Sequence, residues 1–319
     1  VPAAATAQAP PHPRLRRSSA ISRFAAVAGL AALADANVVL DEKRAARTAL
    51  IFAVSNGGVI YTKRFYHDIV ESGAQAASPL LFPETVFNAP ASHLAAILGI
   101  NGASYTLVGD GAVGILALKM AEDLMAGDAL DYCLVVGAEE ADWLLCDAYH
   151  KWRLLRPAPP IEPFQKPARG MIVSEGAGAI LLGRAGSLQI EKIAAGPNFR
   201  KQREAAACVD KVFAALCTTA PDFVAASANG TFIDEAERAA IMAHCPKAEV
   251  YAVKGALGES VGASSLWQTI SAAQSLIAGR GPATQLESTG NEGLKSAVVS
   301  ACGLNQQVAG LRLTFSSPA

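Results

Sequence analysis

Two glycine-rich turns in this 319-residue chain each carry an acid where a strand gives way to a helix. The first is "TLVGDGAVGILAL", with Asp110, and the second is "VKGALGESVGAS", with Glu259. A tight strand-to-helix turn presents a side chain beside the positive end of the helix, and many enzymes hold a nucleophile there. A carboxylate at that place can serve as nucleophile or base. It can equally cap the helix by accepting its first amides. Both readings stand for Asp110 and for Glu259. Other polar groups read as structural: His93 and His150, beside Leu94 and Trp152, as local hydrogen bonders, and Glu139, Glu140 and Asp142, after an apolar run, as a solvated loop. Six cysteines lie far apart, with no CxxC and no His/Cys pair at metal-ligand spacing. Cys133, inside "YCLVVG", reads as a buried thiol, and a reducing cytoplasm fits this usage. No metal and no cofactor is expected.

The elements around the two turns alternate. Ser18–Ala36 reads as a helix capped by Ser18 or Ser19. "TALIFAVSNGG", "DYCLVVGAEE" and "GAGAILLG" read as strands, and "LFPETVFNAPASHLAAILGI" as a loop followed by a short helix. The second half starts over, with strands "SLQIEKIAAG", "DFVAASANG", "KSAVVSACG" and "VAGLRLTF". Between them lie helices "REAAACVDKVFAALCTTA" and "DEAERAAIMAHC" and a long small-residue helix after Glu259. This alternation gives an α/β class. The two acid-bearing turns share one design, and helices apolar on nearly all sides are sandwiched between layers. The expected fold is therefore a five-layer α/β/α/β/α arrangement of two pseudo-repeated halves, 18–186 and 187–319, each with a mixed sheet. Residues 1–17, Pro/Ala-rich and then basic, read as a flexible arm without the order of a signal peptide. At 51% hydrophobic and 17% charged the chain is globular, and no apolar run approaches the ~20 residues of a membrane span. A net charge of -1 gives no bulk reason to expect nucleic acid or membrane partners.

The segment "EPFQKPARGMIVSEGAGAILLGR" resembles a stretch of the β-ketoacyl synthases, matching at Pro163, Phe164, Gly170 and Glu175 to Gly178. "FNAPASHLAAILGI", "ANGTFIDEAERAAI" and "VKGALGESVGAS" are similar to three further segments of that family, in the same order and spacing. The resemblance implies the thiolase-like fold from residue 18 onward, with an N-terminal sheet one strand short because the family's first strand and helix have no counterpart. It also implies a dimer formed through the strand that feeds the elbow, here "SYTLVG". Active ketosynthases carry a Cys at the elbow and two His that serve condensation with a malonyl extender. Here Gly111 falls at the Cys position, or Asp110 after a one-residue slip. The first His corresponds to Asn229 and the second to Glu259, while Lys254 is retained. Asn does not cycle a proton near neutral pH, and an ionised Glu repels a thioester oxyanion. Asn229 is expected to bond backbone in its turn, and Lys254 with Glu259 to form an ion pair. The function these departures imply is a non-catalytic partner, resembling chain-length factors, of an active β-ketoacyl synthase in fatty-acid or polyketide-type synthesis. Two other readings are an acyl-thioester enzyme using an Asp110/Glu259 pair and a dimerising scaffold. The expected partners are a second copy or an active ketosynthase, and an acyl carrier protein.

Overall fold

The computed structural model describes residues 9–16, 18–282 and 293–316. In chain order the first half contains α1 (Ala20–Asp35), α2 (Glu42–Ala46), β1 (Thr48–Val54), α3 (Val59–Ser72), α4 (Ala89–Leu98), β2 (Ser104–Val108), α5 (Val113–Met125), β3 (Tyr132–Glu139), α6 (Trp143–Lys151) and β4 (Gly176–Leu182). The second half contains β5 (Leu188–Ala195), α7 (Ala205–Leu216), β6 (Phe223–Ala225), α8 (Ile233–His244), β7 (Glu249–Tyr251), α9 (Lys254–Leu257), α10 (Val261–Ala278), β8 (Ser296–Cys302) and β9 (Val308–Phe315).

Two mixed sheets form. The first has four strands in the order β2-β1-β3-β4 and the second five, β5-β9-β8-β6-β7. Among the described residues the first sheet is thus the shorter one. Every residue of β1 is buried, which a strand covered on both faces requires. Its side chains divide by period two: Ala49, Ile51 and Ala53 face one core cluster, and Leu50, Phe52 and Val54 another. The first cluster is the middle of the molecule, where α5 and α10 lie between the sheets and meet side chains of β3, β6, β8 and β9. The second holds α1 and α4 against the outer face of the first sheet. A third packs α7 and α8 onto the outer face of the second. The result is α/β/α/β/α. α5 and α10 approach so closely that a Cβ on Gly114 would stand 2.5 Å from Ser265 Oγ, which explains their small residues.

Several details refine the sequence reading. Ser19 alone caps α1, accepting from Ser22 N. Residues 1–8 and 17 of the expected arm lie outside the described residues. The arm's Pro13–Leu15 is a single 3-10 turn, and it is not loose, because Leu15 is buried in the outer core with α1 and α4. α3 and α6 are helices beyond those the sequence pattern predicts. α3 buries none of its residues, and Tyr66 and Val70 on it are exposed. No helix among the described residues is long and apolar enough to cross a membrane.

The tightest junction of the middle layer is at Gly137 in β3, where a Cβ would collide with the Gly262 carbonyl of α10 and stand 3.0 Å from Leu266 Cδ1. Gly137→Ala must therefore push the sheet and the helix backbone apart. It is expected to lower unfolding free energy by about 1–3 kcal/mol, measured by urea denaturation.

Candidate functional site

Asp110 lies between the end of β2 and the start of α5, yet it does not cap α5, whose first turn has no side-chain cap. Its carboxylate points across to the second half of the chain. Oδ1 accepts from Leu304 N at 3.0 Å, and Oδ2 accepts from Asn305 N at 2.8 Å and Gln306 N at 3.0 Å. In return Asp110 N donates to Gln307 Oε1 at 2.8 Å. These partners form the loop that joins β8 to β9. A Cβ at Gly303 would run into the Asp110 carboxylate, so the loop can close on the acid only with glycine there. The capping expectation for Asp110 is thus corrected: three amides of a distant loop replace those of its own helix. Gly111, the other candidate for the elbow position, is buried under the same loop, and a Cβ there would stand 3.1 Å from Gly303 Cα.

Lys254, Glu259 and Asn229 are brought together. All three are buried, at 0%, 2% and 0% exposure. Glu259 Oε2 lies 2.8 Å from Lys254 Nζ and accepts from Asn229 Nδ2 at 2.7 Å. The Glu259 backbone is held by Ile172 O and Ser174 N, both at 2.9 Å. Asn229 does bond within its turn, its Oδ1 accepting from Thr231 Oγ1 at 2.6 Å and Thr231 N at 3.2 Å. Its Nδ2 nonetheless reaches Glu259, which the sequence did not reveal. Glu259 does not serve the N-terminus of α10, where Ser260 is the cap residue without a side-chain bond. That expectation is corrected too, because the adjacent ammonium is the stronger partner. No hydrogen bond links Asp110 to Glu259 among the described residues; each carboxylate has its own set of donors.

A second layer supports this network. Lys254 Nζ donates to Ser227 Oγ at 3.3 Å, and that hydroxyl accepts from Cys302 N at 2.9 Å, one residue before the loop that holds Asp110. Ser227 N donates to Glu237 Oε1 at 2.7 Å. Asp234 accepts from Asn229 N at 2.9 Å, Gly230 N at 3.0 Å and Phe164 N at 2.6 Å. Asp234 and Glu237, spaced three apart on the buried face of α8, were not singled out from sequence. The signal was there in "IDEAERAAI", where both acids share a face with Ile233, Ala240 and Ile241.

The acids after β3 also depart from expectation. Glu139 ends the strand at 1% exposure and accepts from Ser55 N at 2.8 Å, and Asp142 is buried and caps α6. They face the loop after β1 and the start of α6, so they do not form a solvated loop. His93 is a local partner as expected, 2.6 Å from Glu84 Oε1. Burial pushes the Cys133 thiol up to about 12, which leaves it protonated and inert.

Burial also pushes the Glu237 carboxyl up to about 7, against the opposing pull of the Ser227 amide. The folded state then holds a proton that the unfolded chain releases near 4.5. The stabilisation is complete below that value and is lost as pH rises through 7. Glu237→Gln, which cannot titrate, is expected to flatten the fall in unfolding free energy over this window by roughly 1–3 kcal/mol relative to wild type, measured by chemical denaturation at several pH values.

Residues 6–186 match the β-ketoacyl synthase N-terminal domain family, which is more than half of the chain. A curated relative, the 3-oxoacyl-[acyl-carrier-protein] synthase 2 of Vibrio cholerae, is 24% identical over 173 residues, covering 52% of this chain and 42% of its own length. The chain thus spans less than half of that relative. Among solved structures, the ishigamide ketosynthase/chain length factor superposes with a TM-score of 0.80 at 19% identity, covering 95% of this chain and 84% of the other. A β-ketoacyl synthase from Burkholderia phymatum gives 0.82 at 17% identity, covering 97% and 85%. These superpositions establish the thiolase-like fold of the ketosynthases. Together with the sequence match over its first half, they place the chain in the β-ketoacyl synthase family.

Proposed function

We propose that this chain is a non-condensing member of its family that acts as the partner of an active β-ketoacyl synthase, in the manner of a chain-length factor. The observation that carries the reading is the state of the elbow. Both oxygens of Asp110 accept loop amides, three in all. A nucleophile needs a lone pair free and aimed at the acyl carbon, and this carboxylate has its acceptors turned to the loop. At the two positions that hold His in active members, Asn229 and Glu259 bond each other and Lys254. An ionised Glu there opposes an oxyanion, so the arrangement supports no decarboxylative step.

The edge of the first sheet supports the partnership. β2 is an edge strand with Tyr105 and Val108 exposed and no proline to block pairing. Such an edge calls for another strand, from a second copy or from an active ketosynthase. One observation favours the alternative of a recruited carboxylate: Glu259 Oε1 is buried without a hydrogen-bond partner, an acceptor that a substrate donor could fill. Acyl carrier protein separates the two readings. The purified chain, incubated with an acyl carrier protein bearing its acyl thioester, is expected to show no added mass. Mixed with the purified elbow-Cys ketosynthase of the same host, it is expected to form a one-to-one dimer by native mass spectrometry, with acylation confined to the ketosynthase. An acyl adduct on this chain, or failure to bind the ketosynthase while pairing only with itself, would overturn the proposal.

A further inference from the structure

Cys217 and Cys245 close α7 and α8 respectively, each as the residue that follows the last helical turn. The two helices lead into β6 and β7, which are parallel neighbours with Phe223 opposite Glu249. This register brings the two helix ends to the same rim of the second sheet. His244 Nε2, one residue before Cys245, bonds Asp210 in the middle of α7 at 2.7 Å and holds the end of α8 against that helix. Both sulfurs pack on the same outer core, Cys245 at 2% exposure and Cys217 only half-buried. Both are free thiols. We propose that Cys217 and Cys245 are a redox pair, a modification site in which a hydroperoxide oxidises Cys217 and Cys245 resolves it to a disulfide that staples α7 to α8.

The surroundings divide the two roles. The Cys217 thiol is held below its ordinary value by its hydrogen bond with Cys245 and by the Arg312 guanidinium, against the effect of burial. Arg312 is fixed at this spot, donating to Leu216 O at 3.2 Å and to Thr219 O at 2.8 Å. Cys245 is pushed up by the same pairing and by burial, so it waits as the thiol. The other partly exposed cysteine, Cys146, is pushed up by burial and by the charge of Asp142, and it makes the poorer nucleophile. In the first step the Cys217 thiolate attacks a peroxide oxygen, the O–O bond breaks, and the leaving hydroxide takes a proton to become water, leaving a sulfenic acid on Cys217. In the second the Cys245 sulfur displaces the sulfenic oxygen as water, and its proton goes with it. Two thiols lose two hydrogens and hydrogen peroxide becomes two waters. The site lies on the outer layer of the second half and uses none of Asp110, Asn229, Lys254 or Glu259, so it does not depend on the acyl reading.

The test treats the purified full-length chain with hydrogen peroxide, then denatures it, alkylates it and maps the peptides. Expected are a loss of about 2 Da before alkylation, two fewer alkylatable thiols than the six present, and a linked peptide pair joining Cys217 to Cys245. Cys245→Ser, which removes only the resolving sulfur, is expected to accumulate a sulfenic acid on Cys217 that dimedone captures. A treated wild type in which all six thiols still alkylate would overturn the proposal. So would a disulfide between any other pair, or dimedone labelling of Cys245→Ser at a cysteine other than Cys217.

Discussion

The bond set between Asp110 and the amides of Leu304, Asn305 and Gln306 joins the two halves of the molecule. It crosses 194 to 196 positions of sequence. An ionised carboxylate that accepts several amides makes the strong, charge-assisted kind of hydrogen bond. The elbow between β2 and α5 is thereby locked to the turn between β8 and β9. Gly303 makes the closure possible, and Gln307 returns a bond to the Asp110 main chain. A side chain that serves as a nucleophile at such a turn must be free to form and break a bond. Here it is consumed by structure.

Behind that lock sits a buried ion pair. Lys254 and Glu259 are both removed from water, and their mutual attraction offsets a large desolvation cost only with help from neutral donors and acceptors. Asn229 and Ser227 supply that help, the first through Glu259 Oε2 and the second through Lys254 Nζ. Ser227 also holds Cys302, at the root of the loop that grips Asp110. The elbow acid and the buried pair are therefore one mechanical unit with two separate electrostatic parts. Lys254 and Glu259 balance each other's charge, and three loop amides solvate the Asp110 carboxylate, so neither part leaves a charge without partners.

Much of the fold was legible because its signals are local. The small residues of α5 and α10, the glycine turns before them and the apolar run of β1 each follow from a segment read by itself. α3 was not read although Tyr61, Phe65 and Ile69 recur four apart along it, because it follows the Gly57-Gly58 turn directly and its apolar residues are interleaved with charges. Glu139 was misread because an acid after an apolar run looks solvated until the loop after β1 brings the Ser55 amide to it. At the site, the closeness of Lys254 to Glu259 could be read directly. The link from Asn229 to Glu259 and the grip of the β8–β9 loop on Asp110 could not, because both depend on tertiary approach of segments far apart in sequence.

The central claim is that Asp110 is an anchor and not a reacting group. Amide hydrogen exchange at Leu304, Asn305 and Gln306 tests it most directly, in wild type and in Asp110→Ala. Asn305 and Gln306 are exposed, so protection of their amides must come from a specific acceptor and not from burial. The account predicts slow exchange at all three positions in wild type and a rise of about tenfold or more in Asp110→Ala, with the amides of β1 still protected. Fast exchange at these positions in wild type, or rates unchanged by the substitution, would contradict it.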